Sequence, residues 1–168
     1  MKRVIFIDCG DTLVDESTQV FDKDENVIDV EFYDNADKVL FKLKELGYIV
    51  ILVADGRDKS FRNIFNKINF LQCFDGFVVS ENVGELKPHP AMFETAFNLI
   101  PKEYRSKDNV LMVGNNLCRD IKGANNFGIT SVWMNWSPRY FHEFSEPDLK
   151  PDYEIKSPNE LIGLLERL

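Results

Sequence analysis

The chain has 168 residues, 44% of them hydrophobic and 12% aromatic, the size of one ordinary domain able to bury about 70% of its unfolded surface. Lys and Arg number 20 against 28 Asp and Glu, a net charge of −8 with no basic cluster, which excludes nucleic acid as an expected partner. Cys9, Cys73 and Cys118 show no CxxC spacing and no disulfide framework, as suits a reducing cytoplasm, and the opening apolar run is too short for a signal peptide or a membrane span.

The run VIFI at residues 4–7 has strand length and no polar break, the pattern of a strand buried on both faces, and it stops at Asp8. Residues 18–33 predict an antiparallel hairpin: Ile28, Val30 and Phe32 alternate with Asp29 and Glu31 after the polar bend DKDEN. Val39, Leu40, Leu43 and Leu46 form a helical stripe stopped by Gly47. A second apolar strand follows at 48–54, then a helix carrying Phe61, Ile64, Phe65 and Ile68. The third strand is predicted at 76–80, and a helix opened by Pro90 carries Met92, Phe93, Ala96 and Phe97. Strands at 109–114 and 130–135 flank a short helix at 120–127. A long aromatic-rich connection at 136–151 and a helix at 160–168 close the chain.

Alternating strands and helices predict an α/β fold in three layers, a parallel sheet with helices on both faces. No linker or composition shift divides the chain, so residues 1–168 are expected to form a single domain with the hairpin as its one insertion. No P-loop, G-x-G-x-x-G or internal repeat is present, and the sequon NWS at Asn135 has no meaning in a cytoplasmic protein. Open parallel sheets bind ligands beyond the carboxyl ends of their strands. Those ends are Asp8, ADG at 54–56, SEN at 80–82 and GNN at 114–116, so polar groups converge on one edge.

Several residues there could carry chemistry. Asp8 is either a turn or cap aspartate, or a carboxylate held at a strand tip as nucleophile or metal ligand. Lys87, in ELKPHP, is either a solvated loop lysine or an ammonium fixed by the stiffening of Pro88 and Pro90. Asp120 could cap the fourth helix or sit near a cation. His89 and His142 have no metal-ligand spacing and read as surface residues. Trp133, Trp136, Tyr140, Phe141 and Phe144 read as core packing or an interface, and Cys9 as a small buried apolar residue.

The order of these features resembles the haloacid dehalogenase-like (HAD) hydrolase superfamily. FIDCGDTLVD is similar to its first motif, a strand followed by DxDxT, and VILVADG to its second, a strand ending in Thr or Ser. SENVGELKPHPAMFETA is similar to the third, a lysine followed by Pro-x-Pro. VLMVGNNLCRDIKGANNFGITSVWMN is similar to the fourth, strand, GDxxxxD, helix, AxxxG, strand. All four occur in order over residues 2–135, which implies a Rossmann-like sandwich with the hairpin as the family's flap. The intervals from Asp8 to Ala54 and from Ala54 to Lys87 are too short for the larger cap domains, so a capless member is implied.

The resemblance implies that Asp8 attacks phosphorus to give an aspartyl-phosphate and that Lys87 neutralises charge on nucleophile and phosphoryl group. It implies Mg²⁺ held by Asp8, the Gly10 carbonyl, Asn115 and Asp120, and phosphate contacts at Ala54, Asp55 and Gly56. Three side chains depart from the family pattern. Gly10 stands where the family has the aspartate that protonates the leaving group, Ala54 where it has Thr or Ser, and Asn115 where it has an acid. Asp11 comes one residue late, a shift that should turn its side chain elsewhere. Loss of a general acid is worth roughly 10²–10⁴ in rate, about 3–5 kcal/mol of barrier, and acyl or aryl phosphates with good leaving groups suffer least.

The expected function is a cytoplasmic Mg²⁺-dependent phosphohydrolase, slow for want of Asp at position 10, acting on a small phosphorylated substrate or a phosphoprotein, with no membrane partner and oligomerisation left open. The rival is a non-catalytic phosphate- and metal-binding regulatory protein of the same fold. Dehalogenases of this superfamily also lack the second aspartate, but they build their halide site with a helical cap. A receiver-type signalling domain places its lysine after the fifth strand, whereas Lys87 follows the third.

Overall fold

A computed structural model describes residues 3–33, 35–67, 70–137, 139–140, 143 and 146–168. Its centre is β1 (Val4–Ile7), hydrogen-bonded in parallel to β4 (Ile49–Ala54) on one side and β6 (Val110–Gly114) on the other. β5 (Gly76–Val79) extends the first side; β7 (Thr130–Met134) and β8 (Tyr153–Ile155) extend the second, giving the order β5-β4-β1-β6-β7-β8 with every pairing parallel.

The alternation of side chains across a pleated strand divides the core into two layers. Ile5 and Ile7, with Val50, Leu52, Leu111 and Val113, face one side. There they meet α1 (Ala36–Glu45), α2 (Asp58–Asn66) and α6 (Pro158–Leu165) through Leu40, Leu43, Phe65 and Leu161. Val4 and Phe6, with Ile51, Val53 and Met112, face the other side and meet α4 (Pro90–Leu99) and α5 (Lys122–Phe127). Each central strand is therefore buried on both faces, which is why its sequence carries no polar alternation.

The flap is β2 (Val14–Phe21) and β3 (Val27–Phe32), paired antiparallel between β1 and α1. It starts four residues earlier than the sequence pattern indicates, because Val14 pairs with Phe32 although polar DEST follows it. The turn is held by Asp22, whose carboxylate accepts from the N–H groups of Asp24 and Asn26, each at 2.9 Å. β3 is pinned to α2: Ser60 Oγ accepts from Val27 N at 3.0 Å, and Asn63 donates to the Val27 carbonyl at 2.9 Å.

Two sequence readings are corrected, and one left open, the role of Asp120, is resolved. Residues 153–155 form a sixth strand, unseen in the sequence because it is three residues long and buries only Ile155. Leu46, expected in the α1 stripe, is exposed; the helix ends there and Gly47, at φ 78°, reverses the chain. The helix after β6 is capped by Asn116, whose side chain accepts from Cys118 N and Arg119 N, and not by Asp120. The helix opens with a π-type turn, α3 (Ser80–Val83) is a single turn after β5, and no described helix is long and apolar enough to cross a membrane. Ile68, Phe141, His142 and Phe144 lie outside the described residues.

Candidate active site

The sheet order reverses beside β1: β4 and β5 run off one side, β6 to β8 off the other. The segments that follow β1 and β6 lead to helices on opposite faces, α1 and α5, and leave a crevice at the carboxyl ends of the two strands, the place where such folds bind ligands. Asp8 is the first residue beyond β1 and Asn115 the first beyond β6. A cleft of about 260 Å³ opens there, lined among others by Asp8, Gly10, Asp55, Lys87, Asn115 and Asp120, at the small end of ligand pockets.

Lys87 organises this site. Its ammonium donates to Asp8 Oδ1 at 2.7 Å, to Asp120 Oδ1 at 2.7 Å and to the Val53 carbonyl at 2.8 Å, with the residue only 4% exposed. The loop carrying it is fixed from below, because Lys87 N donates to Asp55 Oδ1 at 3.0 Å. Burial alone would depress the lysine pKa, but the carboxylates of Asp120 and Asp8 outweigh it and hold the pKa above its ordinary value. Two carboxylates share this one ammonium, and burial beside Asp8 pushes Asp120 up to about 7 against the pull of Lys87. Asp120 Oδ2 also accepts from Asn116 N at 3.0 Å, so both of its oxygens are engaged.

Asp8 Oδ2 receives the Thr12 hydroxyl at 3.3 Å, and the same hydroxyl lies 3.5 Å from Asn115 Oδ1. The backbone carbonyl of Asn115 is fixed by the Trp133 indole at 3.0 Å. Its side-chain Nδ2, buried, has no partner among the described residues. An unpartnered buried amide is costly, and turning the amide over would present its oxygen to the same space. Either way Asn115 offers a polar atom to a bound group.

With that amide turned over, Asn115 Oδ1 and Asp8 Oδ2 are oxygen donors of the kind Mg²⁺ takes while keeping several waters, and Gly10 lines the same cleft. Among the described residues no cluster of three His, Cys, Asp or Glu is placed to hold a metal ion.

Of the residues singled out in the second motif, Asp55 and Gly56 line the cleft, while Ala54 is buried in the core. The Asp55 carboxylate is occupied by Lys87 N and by Arg119 at 3.3 Å, and Gly56 N donates to Ser80 Oγ at 2.8 Å. Asp11, at φ 51° and fully buried, turns its carboxylate to Tyr33, Ser137 and Arg139. Cys9 is buried, and burial next to the Asp8 charge pushes its thiol well up, so it is inert packing.

Sequence reasoning missed Thr12, Glu16 and Arg119. Thr12 was within sight, since it is the threonine of DxDxT. Glu16 carried no signal, because only the path of the flap brings it to the cleft, and Tyr140, read as core packing or an interface, lines the cleft beside it. Trp136 packs edge-on against Tyr33 at 3.7 Å between ring centroids and donates to the Asp11 carbonyl at 2.6 Å, and Tyr140 donates to Glu16 Oε2 at 2.9 Å. Burial raises the Glu16 pKa, with Asp11 and Asp8 adding to the rise against the Tyr140 hydrogen bond.

A doubly covered parallel sheet with a lysine shared by two aspartates at its central carboxyl edge is a Rossmann-like α/β fold with a polar site at its switch point. The haloacid dehalogenase-like hydrolase profile matches residues 6–134, and the chain belongs to that family. Glyceraldehyde 3-phosphate phosphatase of Pyrococcus furiosus is 33% identical over 140 residues, 79% of this chain and 53% of the relative. Pyrophosphatase PpaX of Bacillus mycoides is 28% identical over 142 residues, 83% of this chain and 62% of the relative. The chain thus spans less than two thirds of either protein's length. Among solved structures, magnesium-bound YfnB of Bacillus subtilis superposes with a TM-score of 0.79 at 19% identity, covering 98% of each chain, a likeness of fold.

Proposed function

We propose that this chain is a capless, Mg²⁺-dependent phosphohydrolase acting on a small phosphorylated substrate through an aspartyl-phosphate on Asp8. The observation that carries the reading is the Lys87 ammonium 2.7 Å from both Asp8 and Asp120 at the sheet's central switch point. That arrangement holds the Asp8 carboxylate rigid beside an open cleft. Lys87 also stands ready to offset charge as a phosphoryl group arrives. Asp8 attacks phosphorus and the ester oxygen departs; water then attacks the aspartyl-phosphate and releases phosphate. Bound beside Asp8, Gly10 and Asn115, Mg²⁺ would supply charge neutralisation at the phosphoryl oxygens. Asp120 supports the site through Lys87. Names of phosphatases acting on a sugar phosphate and on pyrophosphate support the substrate class. Tyr140 lines the cleft and donates to Glu16, which supports a partial lid role for the long connection 136–151. Among the described residues the flap and α1 are the elements between β1 and β4, which argues against halide displacement under a helical cap.

The second reading, a phosphate-binding regulator without turnover, is favoured by the loss of side-chain chemistry at Gly10, Ala54 and Asn115. A panel of alkyl phosphates, nucleotides and acyl phosphates, with and without Mg²⁺, separates the two. Mg²⁺-dependent phosphate release that disappears in Asp8→Asn is the expected result. Equal rates in wild type and Asp8→Asn would end the enzyme reading and leave the regulatory one.

A further inference from the structure

Gly10 is not required by its own backbone, since its φ is not among the left-handed ones. It is required by a neighbour. A Cβ at residue 10 would stand 1.8 Å from Glu16 Oε1, 2.5 Å from Glu16 Cδ and 2.9 Å from Glu16 Cγ. The carboxyl group of Glu16, reaching in from β2, fills the volume that a side chain at position 10 would occupy.

We propose that Glu16 is the proton donor and acceptor of this site, delivering from the flap the carboxyl group that residue 10 lacks. This deepens the phosphohydrolase reading and rests on it. Glu16 lines the same cleft as Asp8 and Lys87. Its position is fixed at both ends. The backbone N–H donates to Asp11 Oδ1 at 3.1 Å, and Asp11 is clamped by Arg139 Nε at 2.8 Å. At the tip, the Tyr140 hydroxyl donates to Oε2 at 2.9 Å, which leaves Oε1 beside Gly10. Ser137, Arg139 and Tyr140 therefore hold Glu16 in place, the first two through Asp11, and the glycine makes the room.

In the first half-reaction Asp8 forms a bond to phosphorus and the ester P–O bond breaks. The leaving oxygen takes the proton of the Glu16 carboxyl group and departs as an alcohol. In the second, the Glu16 carboxylate takes a proton from water as the water oxygen attacks phosphorus. The Asp8–phosphorus bond breaks, phosphate leaves, and Glu16 has its proton back.

The test uses kcat/KM, which reports the first half-reaction, for glycerol phosphate and for acetyl phosphate with Mg²⁺. The proteins are wild type, Glu16→Gln, Glu16→Ala, Gly10→Asp, Gly10→Asp/Glu16→Ala and Asp8→Asn. Removing a general acid should lower the alkyl phosphate rate about 10²-fold or more in Glu16→Gln. Acetyl phosphate, whose leaving group needs no proton, should fall several-fold at most. Gly10→Asp alone should gain nothing, because two carboxyl groups compete for one space. The double variant, with that space cleared, should recover alkyl phosphate turnover relative to Glu16→Ala. Equal losses on both substrates in Glu16→Gln, or none, with Asp8→Asn inactive, overturn the role of Glu16 and leave the phosphohydrolase standing. Wild-type turnover no better than Asp8→Asn overturns both.

Discussion

Replacing Lys87 by Met keeps the aliphatic stem and removes the one cation that two buried carboxylates share. The ammonium satisfies Asp8 and Asp120 at 2.7 Å each and the Val53 carbonyl at 2.8 Å. Breaking a buried ion pair from one side costs about 3–5 kcal/mol, because a charge is left uncompensated, and an orphaned buried carbonyl adds to the loss. Relief comes from protonation of Asp120, already held at about 7 in the folded state against about 3.9 unfolded. A group raised by folding favours the folded state below its unfolded pKa and loses that contribution as pH rises through the folded one. Lys87→Met should therefore lose about 3–5 kcal/mol at pH 8, roughly 6–20 °C in Tm for a chain of this size, and less at pH 5. Asp8→Asn is the clean partner, since an amide oxygen can still accept from Lys87 while Thr12 turns its hydroxyl. Asp120→Asn is not, because Lys87 and Asn116 N both donate to that side chain. Alone, Asp8→Asn should cost under about 1 kcal/mol or even stabilise, as it leaves one ammonium for one carboxylate. In the Lys87→Met background it should recover about 1–3 kcal/mol, a typical size for coupled neighbours. Urea unfolding of the four proteins in metal-free buffer measures the cycle. A loss under about 1 kcal/mol in Lys87→Met at pH 8, or strict additivity, would refute the shared-cation account.

Arg139→Ala should destabilise by about 1–3 kcal/mol, since Arg139 is the cation that faces the fully buried Asp11; amide exchange should rise in residues 136–140 and at the start of β2. Gly123→Ala should cost about 1–3 kcal/mol in urea unfolding, because its Cβ would meet Phe93 ring carbons at 2.3 Å between α5 and α4. Gly163→Ala, inside α6 with nothing nearer than Arg167 at 3.9 Å, should instead raise stability by about 0.5–1 kcal/mol. A thiol reagent should label the native protein once, at exposed Cys118, and reach buried Cys9 and Cys73 only in denaturant; rapid native labelling of all three would contradict the packing.

What the sequence revealed and what it hid follow from the same physics. The uninterrupted apolar runs could only be strands covered on both sides, and parallel strands all end on one edge. Asp8 after β1, Asn115 after β6 and Lys87 beyond β5 were therefore placed together by chain direction alone. Nothing finer than that edge was legible. Whether Asp120 or Asn116 caps the helix after β6 depends on which side chain the buried ammonium of Lys87 claims, and the ammonium claims Asp120. The strand Tyr153–Ile155 is bound to β7 by its backbone, which leaves almost no mark on side-chain pattern.

The exchange at Gly10 was the least visible, and the most consequential for mechanism. Read along the chain, a glycine in place of an acid is a deletion. Read in space, it is a relocation: the pairing of Val14 with Phe32 carries β2 past residue 10, and Glu16 arrives there from six positions downstream. An aspartate at position 10 would have excluded it. The same region makes Asp11 useful, for its carboxylate accepts the Glu16 N–H and binds Arg139, whose neighbour Tyr140 steadies the Glu16 carboxyl group. The missing acid at Gly10, the late acid Asp11 and the aromatic segment after β7 are one set of contacts in the fold. The hydrogen bonds that pin β3 to α2, together with the one from Tyr140, keep the Glu16 carboxyl beside Gly10 while Asp8 and Lys87 are held at the sheet edge.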